Sequence, residues 1–100
     1  MRYSLHPDAD HDLRDAAEYY KQRAGIALSQ ALFTEFEHSV TLLLQHPLLG
    51  AVSHQGQRRI VMRHFPYSIF YTVSDDEIRV LAVAHHSRLP GYWRKRKWLA

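Results

Sequence analysis

The apolar residues of this chain change their period once, and that change fixes the order of its elements. Through the first half they recur every three or four residues, and from Arg58 onward they alternate. The first spacing builds one face of a helix and the second one face of a strand, so helices precede a run of strands. Ahead of the helices, Tyr3 and Leu5 alternate with Arg2 and Ser4, which predicts a short opening strand ended by His6-Pro7. Pro7 suits a first helical position, and Asp8, Asp10 and Asp12 favour the positive end of a helix dipole. Ala9, Leu13, Ala16, Ala17, Tyr20 and Ala24 then form one stripe, and Gly25 offers a left-handed stop.

A second helix is expected from Ile26 to about His46, with Leu28, Leu32, Phe36, Val40 and Leu43 on its stripe and Phe33 and Leu44 widening it. So short a link makes the two helices an antiparallel hairpin. His46-Pro47 ends the second, and Leu48 to Gly56 reads as a loop. Strands follow at Arg58 to His64, Tyr67 to Val73 and Ile78 to Ala84, separated by Phe65-Pro66 and Asp75-Asp76. Pro90 to Lys97 could add a short terminal turn of helix, with Trp93 and Trp98 available to pack. The expected fold is α+β in the order β-α-α-β-β-β, a small, mainly antiparallel sheet with a helical hairpin on one face. All 100 residues form one domain, with no linker or repeat dividing them. Ile60 and Met62 share one strand face, and Arg59, Val61 and Arg63 the other. If the apolar side meets the helices, Arg59 and Arg63 project from the open side as a basic platform.

Charge reinforces that expectation. Residues 1–57 carry four Lys and Arg against seven Asp and Glu, a net −3, whereas residues 58–100 carry nine against three, a net +6. The second half therefore suits an acidic partner, either a polynucleotide or an acidic protein segment. With no cysteine, disulfides, thiolate zinc sites and cysteine nucleophiles are excluded. No HExxH, glycine-rich phosphate loop, GxSxG or EF-hand pattern occurs. The eight histidines are scattered, and the adjacent pair His85-His86 would point to opposite faces of a strand, so neither a metal site nor a cofactor is expected. The longest apolar runs fall far short of the ~20 residues of a membrane span, and the N-terminus has no apolar leader run. A cytoplasmic protein is expected.

The stretch from Ala84 to Arg94 leaves the last strand carrying His85, His86, Arg88, Tyr92, Trp93 and Arg94. Imidazole, guanidinium and phenol within a few residues could bind a phosphate or move a proton. On the residues alone, strand-end hydrogen bonding, packing and solvation account for them at least as simply.

The chain resembles toxins of the RelE/ParE superfamily, the toxic halves of type II toxin-antitoxin modules, over nearly its whole length. The likeness is carried by Pro7-Asp8-Ala9, Asp12-Leu13, Ala16 and Tyr19-Tyr20, and by His46-Pro47, Leu49-Gly50 and Arg58-Arg59. It continues through Phe65-Pro66-Tyr67-Ser68-Ile69-Phe70-Tyr71 and through Val80 to His85, Arg88 and Pro90-Gly91-Tyr92-Trp93. The resemblance implies a cognate antitoxin whose acidic C-terminal segment neutralises the toxin, and leaves homodimer and toxin-antitoxin hetero-oligomer both open. Its ParE-like branch, favoured by the Phe-Pro-Tyr strand and the Pro-Gly-Tyr-Trp ending, implies growth inhibition by a non-catalytic DNA gyrase inhibitor and a role in plasmid stabilization. Arg59, Arg63, His85, His86, Arg88, Tyr92, Trp93 and Arg94 would then bind target or antitoxin. The RelE-like branch implies an endoribonuclease cleaving mRNA on the ribosome, with His86, Tyr92 and Arg63 as candidate catalytic groups. Against it, the expected sheet carries no lysine. A non-toxic nucleic-acid-binding module is the third alternative.

Overall fold

His6 and Pro7 start the first helix as the sequence predicts, and His6 adds a cap: its Nδ1 accepts the backbone N–H of Asp8 at 3.0 Å. In the computed structural model, which describes residues 1–88, 91–94, 96 and 98, a strand β1 (Arg2–Leu5) leads into α1 (Pro7–Ala24) and α2 (Ile26–Gln45). Gly25, at φ 94°, joins the helices in a backbone conformation that glycine adopts freely. There follow β2 (Ala51–Val52), a single 3₁₀ turn, β3 (Arg58–Val61), β4 (Tyr67–Ser74) and β5 (Glu77–His85). The expected order holds, with the two-residue β2 added inside what reads as a loop. No described helix is long and apolar enough to cross a membrane.

The sheet runs β1-β5-β4-β3-β2. The last four strands form an antiparallel meander, whereas β1 pairs parallel to β5, with Tyr3 opposite Ile78 and Leu5 opposite Val80. The helical hairpin between β1 and the meander supplies the crossover that a parallel pair requires. Between the helices and the sheet lies the main core, in which Leu32, Val40, Leu43, Ile69, Tyr71, Ile78, Val80 and Val83 are almost wholly buried. On α2 the buried stripe is Ser29, Leu32, Phe36, Val40 and Leu43, while Leu28 and Phe33, expected inward, stay 37% exposed on its flanks.

Tyr71 ties the loop after α2 to this core. Its hydroxyl donates to the carbonyl of Pro47 and accepts the N–H of Gly50, both at 2.9 Å. Gly50 is packed so closely that a Cβ there would lie 2.6 Å from that hydroxyl and 2.9 Å from the carbonyl oxygen of Arg59.

A β-bulge interrupts the β4–β5 ladder: Phe70 pairs with Ala82 and Tyr71 with Val80, leaving Leu81 unpaired. Leu81 and Ala82 consequently both serve a second core on the face away from the helices, with Phe70, Ala84 and Trp93. Trp93 is 7% exposed, and its ring centroid lies 3.9 Å from that of Phe70. Its indole N–H donates to Gln57 at 3.2 Å. The C-terminal segment thus covers much of the face expected to stand open. Its described part makes turns, with Arg94 N–H bonded to Gly91 and Arg96 N–H to Trp93. The expected terminal helix falls partly on Pro90, Lys95 and Lys97, which lie outside the described residues.

Candidate functional site: an arginine pocket beneath the C-terminal segment

Strand β3 sets the first wall of the site. Arg58 and Arg59 point to opposite sides, as pleating requires. Arg58 is occupied by the loop before β3, donating to the carbonyls of Leu48 and Gly50 at 3.2 and 2.9 Å. Arg59, opposite Phe70, is exposed on the far face. Two corrections follow for the expected basic platform. The strand stops at Val61 instead of reaching His64, and Arg63 does not share the surface of Arg59. The cause is Glu35 on α2, whose carboxylate accepts the backbone N–H of Arg63 at 2.6 Å and that of His64 at 3.2 Å. The N–H of Met62 still reaches the carbonyl of Tyr67 at 2.9 Å, but those of Arg63 and His64 are drawn toward the helix. Arg63 lines a separate pocket of about 560 Å³ along α2 with Leu28, His38 and Leu42.

The second wall comes from the end of β5 and the C-terminal segment. A pocket of about 460 Å³ gathers Arg59, His86, Arg88 and Arg94 around Ser68, Phe70 and Trp93. His86 is fixed by its N–H to the carbonyl of Pro66 at 2.9 Å and by its Nε2, 3.0 Å from Ser68 Oγ. Arg94 folds back over Gly91, at φ 81°, where a Cβ would come 2.7 Å from the arginine Nε. Trp93 forms an interior wall; it supports the site by packing.

Tyr92 turns the other way, into a pocket of about 220 Å³ beside α1 that it shares with Asp12, Tyr19 and Tyr67. His85 and Arg88 border both this pocket and the arginine pocket. Arg88 stacks on the Tyr92 ring at 3.9 Å, with Arg96 5.2 Å away on the same ring. Burial, then the nearby Asp12 carboxylate, raises the Tyr92 pKa against the pull of the two arginines, and burial pushes the Tyr67 phenol up to about 12. Both phenols are therefore protonated near neutrality. His85 Nδ1 accepts the N–H of Ser87 at 3.0 Å, which places a neutral ring's proton on Nε2. Its ring and that of Tyr67 make a T-shaped contact, with centroids 4.9 Å apart.

The expected binding set is thus divided. Arg59, His86, Arg88, Arg94 and Trp93 meet at one pocket, His85 lies on its rim, Tyr92 faces α1 and Arg63 faces α2. The three candidate catalytic groups of the ribonuclease alternative, His86, Tyr92 and Arg63, line three different pockets. Among the described residues, no group of three or more His, Cys, Asp or Glu could hold a metal ion.

Sequence reasoning missed the pair that seats the C-terminal segment. Beyond Leu5, β1 no longer covers the edge of β5, and side chains take over there. Asp12 accepts the N–H of Val83 at 3.0 Å, and Arg96 donates to the carbonyl of Leu81 at 3.1 Å. Asp12 and Arg96 also bond to each other at 2.7 and 3.2 Å. Burial alone would lower the Arg96 pKa, but its hydrogen bonds to Asp12 and that residue's charge raise it. Asp12 reads in sequence as one more carboxylate at a helix start; only the folded sheet edge reveals its use.

Known proteins share this architecture. Residues 3–90 match the family model described as "ParE toxin of type II toxin-antitoxin system, parDE". Toxin ParE2 of Mycobacterium tuberculosis, from strains CDC 1551 / Oshkosh and ATCC 25618 / H37Rv, is 31% identical over 90 residues, covering 89% of this chain and 85% of that toxin. A solved structure described as "Chromosomal ParDE TA system from P. aeruginosa" aligns with a TM-score of 0.75 at 20% identity, covering 85% of this chain and 95% of that one, a likeness of fold.

Proposed function

Because the chain belongs to the ParE toxin family of type II toxin-antitoxin systems, with a cognate antitoxin as the partner that membership implies, we propose that it arrests growth in the cytoplasm by binding and inhibiting DNA gyrase. It does so without turnover. The observation that carries this reading is the separation of His86, Tyr92 and Arg63 into three pockets, while Arg59, Arg88 and Arg94 share one. Cleavage at a ribose 2′-hydroxyl needs base, acid and cation within reach of one phosphodiester. Affinity needs only complementary charge and shape over a continuous surface. The antitoxin's acidic C-terminal segment would neutralise the toxin by occupying the arginine pocket.

The test is a supercoiling assay with purified toxin run beside an assay for mRNA cleavage on the ribosome. Inhibition of supercoiling without RNA scission, reversed by antitoxin, is the expected result. RNA cleavage that disappears in His86→Ala or Tyr92→Phe would overturn the reading in favour of a ribonuclease. Unimpaired growth on induction of the toxin alone would count against any toxic activity.

A further inference from the structure

Five of the ten arginines of this protein are already engaged by carboxylates or carbonyls. Arg2 and Arg79 pair with Glu77, Arg14 with Asp10 and Arg96 with Asp12, and Arg58 is held by loop carbonyls. Arg59, Arg88 and Arg94 differ: all three are exposed and line one pocket that contains no Asp or Glu. Among the described residues none of them has a carboxylate within ion-pair distance. Like charges gathered on a concave, part-apolar wall concentrate a positive field that an anion relieves.

The three side chains also have fixed origins. Arg59 rises from a paired strand position, Arg88 lies against Tyr92, and Arg94 rests on Gly91, next to the buried anchor Trp93. His86 and Ser68, joined at 3.0 Å, place further polar groups on the lining. Guanidinium forks match the oxygens of a phosphate. A single carboxylate side chain would satisfy one fork, whereas consecutive phosphates along a strand offer an anion to each. The apolar lining of Val61, Phe70 and Ala84 suits the sugar between them.

We propose that this pocket binds the phosphate backbone of DNA, so that the toxin engages gyrase where DNA lies on the enzyme. The inference rests on the gyrase reading for its setting, and its test can fail independently of it. Binding of a short fluorescein-labelled DNA duplex to the full chain is followed by anisotropy across a salt series. Arg59→Ala, Arg88→Ala and Arg94→Ala should each weaken binding about tenfold. Each should also reduce the slope of log affinity against log salt by ~0.9, the effect of losing one phosphate contact. Arg14→Ala, on the outer side of α1, should leave both unchanged. These side chains are exposed, so circular dichroism melts of the variants should match the parent.

Absence of duplex binding, or binding indifferent to the three substitutions, overturns the inference. Poly-glutamate that binds through the same arginines where the duplex does not would overturn it as well, leaving the pocket to the antitoxin's acidic segment alone. Supercoiling is measured on the same samples. Gyrase inhibition without duplex binding rejects the phosphate site alone, and duplex binding through the pocket without inhibition rejects the gyrase reading alone.

Discussion

Asp12 on α1 and Arg96 in the C-terminal segment, 84 residues apart in sequence, complete the unpaired edge of β5 between them. The pair is largely buried, with 11% and 14% of the two side chains exposed. Removing one partner leaves the other charge desolvated and one strand group unpaired, a loss of about 3–5 kcal/mol. Asp12→Ala and Arg96→Ala should each cost about that much by urea denaturation, and the double variant should cost less than their sum. Strict additivity would show that the two residues act separately.

The Trp93–Phe70 contact should be a principal anchor of the second core. Trp93→Ala is expected to cost about 3–5 kcal/mol. It should also weaken ligand binding in the arginine pocket at least as much as Arg94→Ala does, because the segment that presents Arg94 loses its anchor. Trp93→Phe should retain much of both. A melt unchanged in Trp93→Ala would mean that the segment is held elsewhere.

Gly50 tests the close approach of the loop to Tyr71. Gly50→Ala must displace the tyrosine hydroxyl and the Arg59 carbonyl, and is expected to cost about 1–3 kcal/mol. Tyr71→Phe leaves the Gly50 N–H without its acceptor, at a similar cost of about 1–3 kcal/mol. Denaturation midpoints of the two variants check both values.

Glu35 gives stability an acid dependence. Burial alone would raise its pKa, but the hydrogen bonds from the His64 side chain and from the backbone of His64 and Arg63 outweigh burial and lower it. A carboxyl lowered on folding contributes stability that is complete above its unfolded value, ~4.3, and is lost as pH falls through the folded value. Glu35→Gln should therefore be less stable than the parent at neutral pH and lose less on acidification. Denaturation midpoints over a pH series should converge in acid. Parallel curves would exclude Glu35 as the titrating group.

The helices and the meander were legible because their apolar periods are local and each is used by a single packing surface. Leu13, Leu32, Phe36 and Val40 are inward in sequence and in structure alike. Alternation beyond Val61 misled because Glu35, 28 residues before Arg63, captures the backbone where the strand would have continued. The second core was hidden for a related reason: a bulge at Leu81 places consecutive residues on one face, and no alternating pattern registers that. Arg59, Arg88 and Arg94 were found as charges, but their meeting depends on where the C-terminal segment lies, which no local signal specifies. The same holds for Asp12 and Arg96, whose roles exist only at the assembled edge of the sheet.

The segment that carries Trp93 walls the arginine pocket and also seals a hydrophobic layer, so occupancy and folding draw on one equilibrium. Any molecule that settles between Arg59 and Arg94 holds that layer shut and raises the unfolding temperature with its concentration. Heat resistance can therefore serve as a direct reporter of what this protein grips.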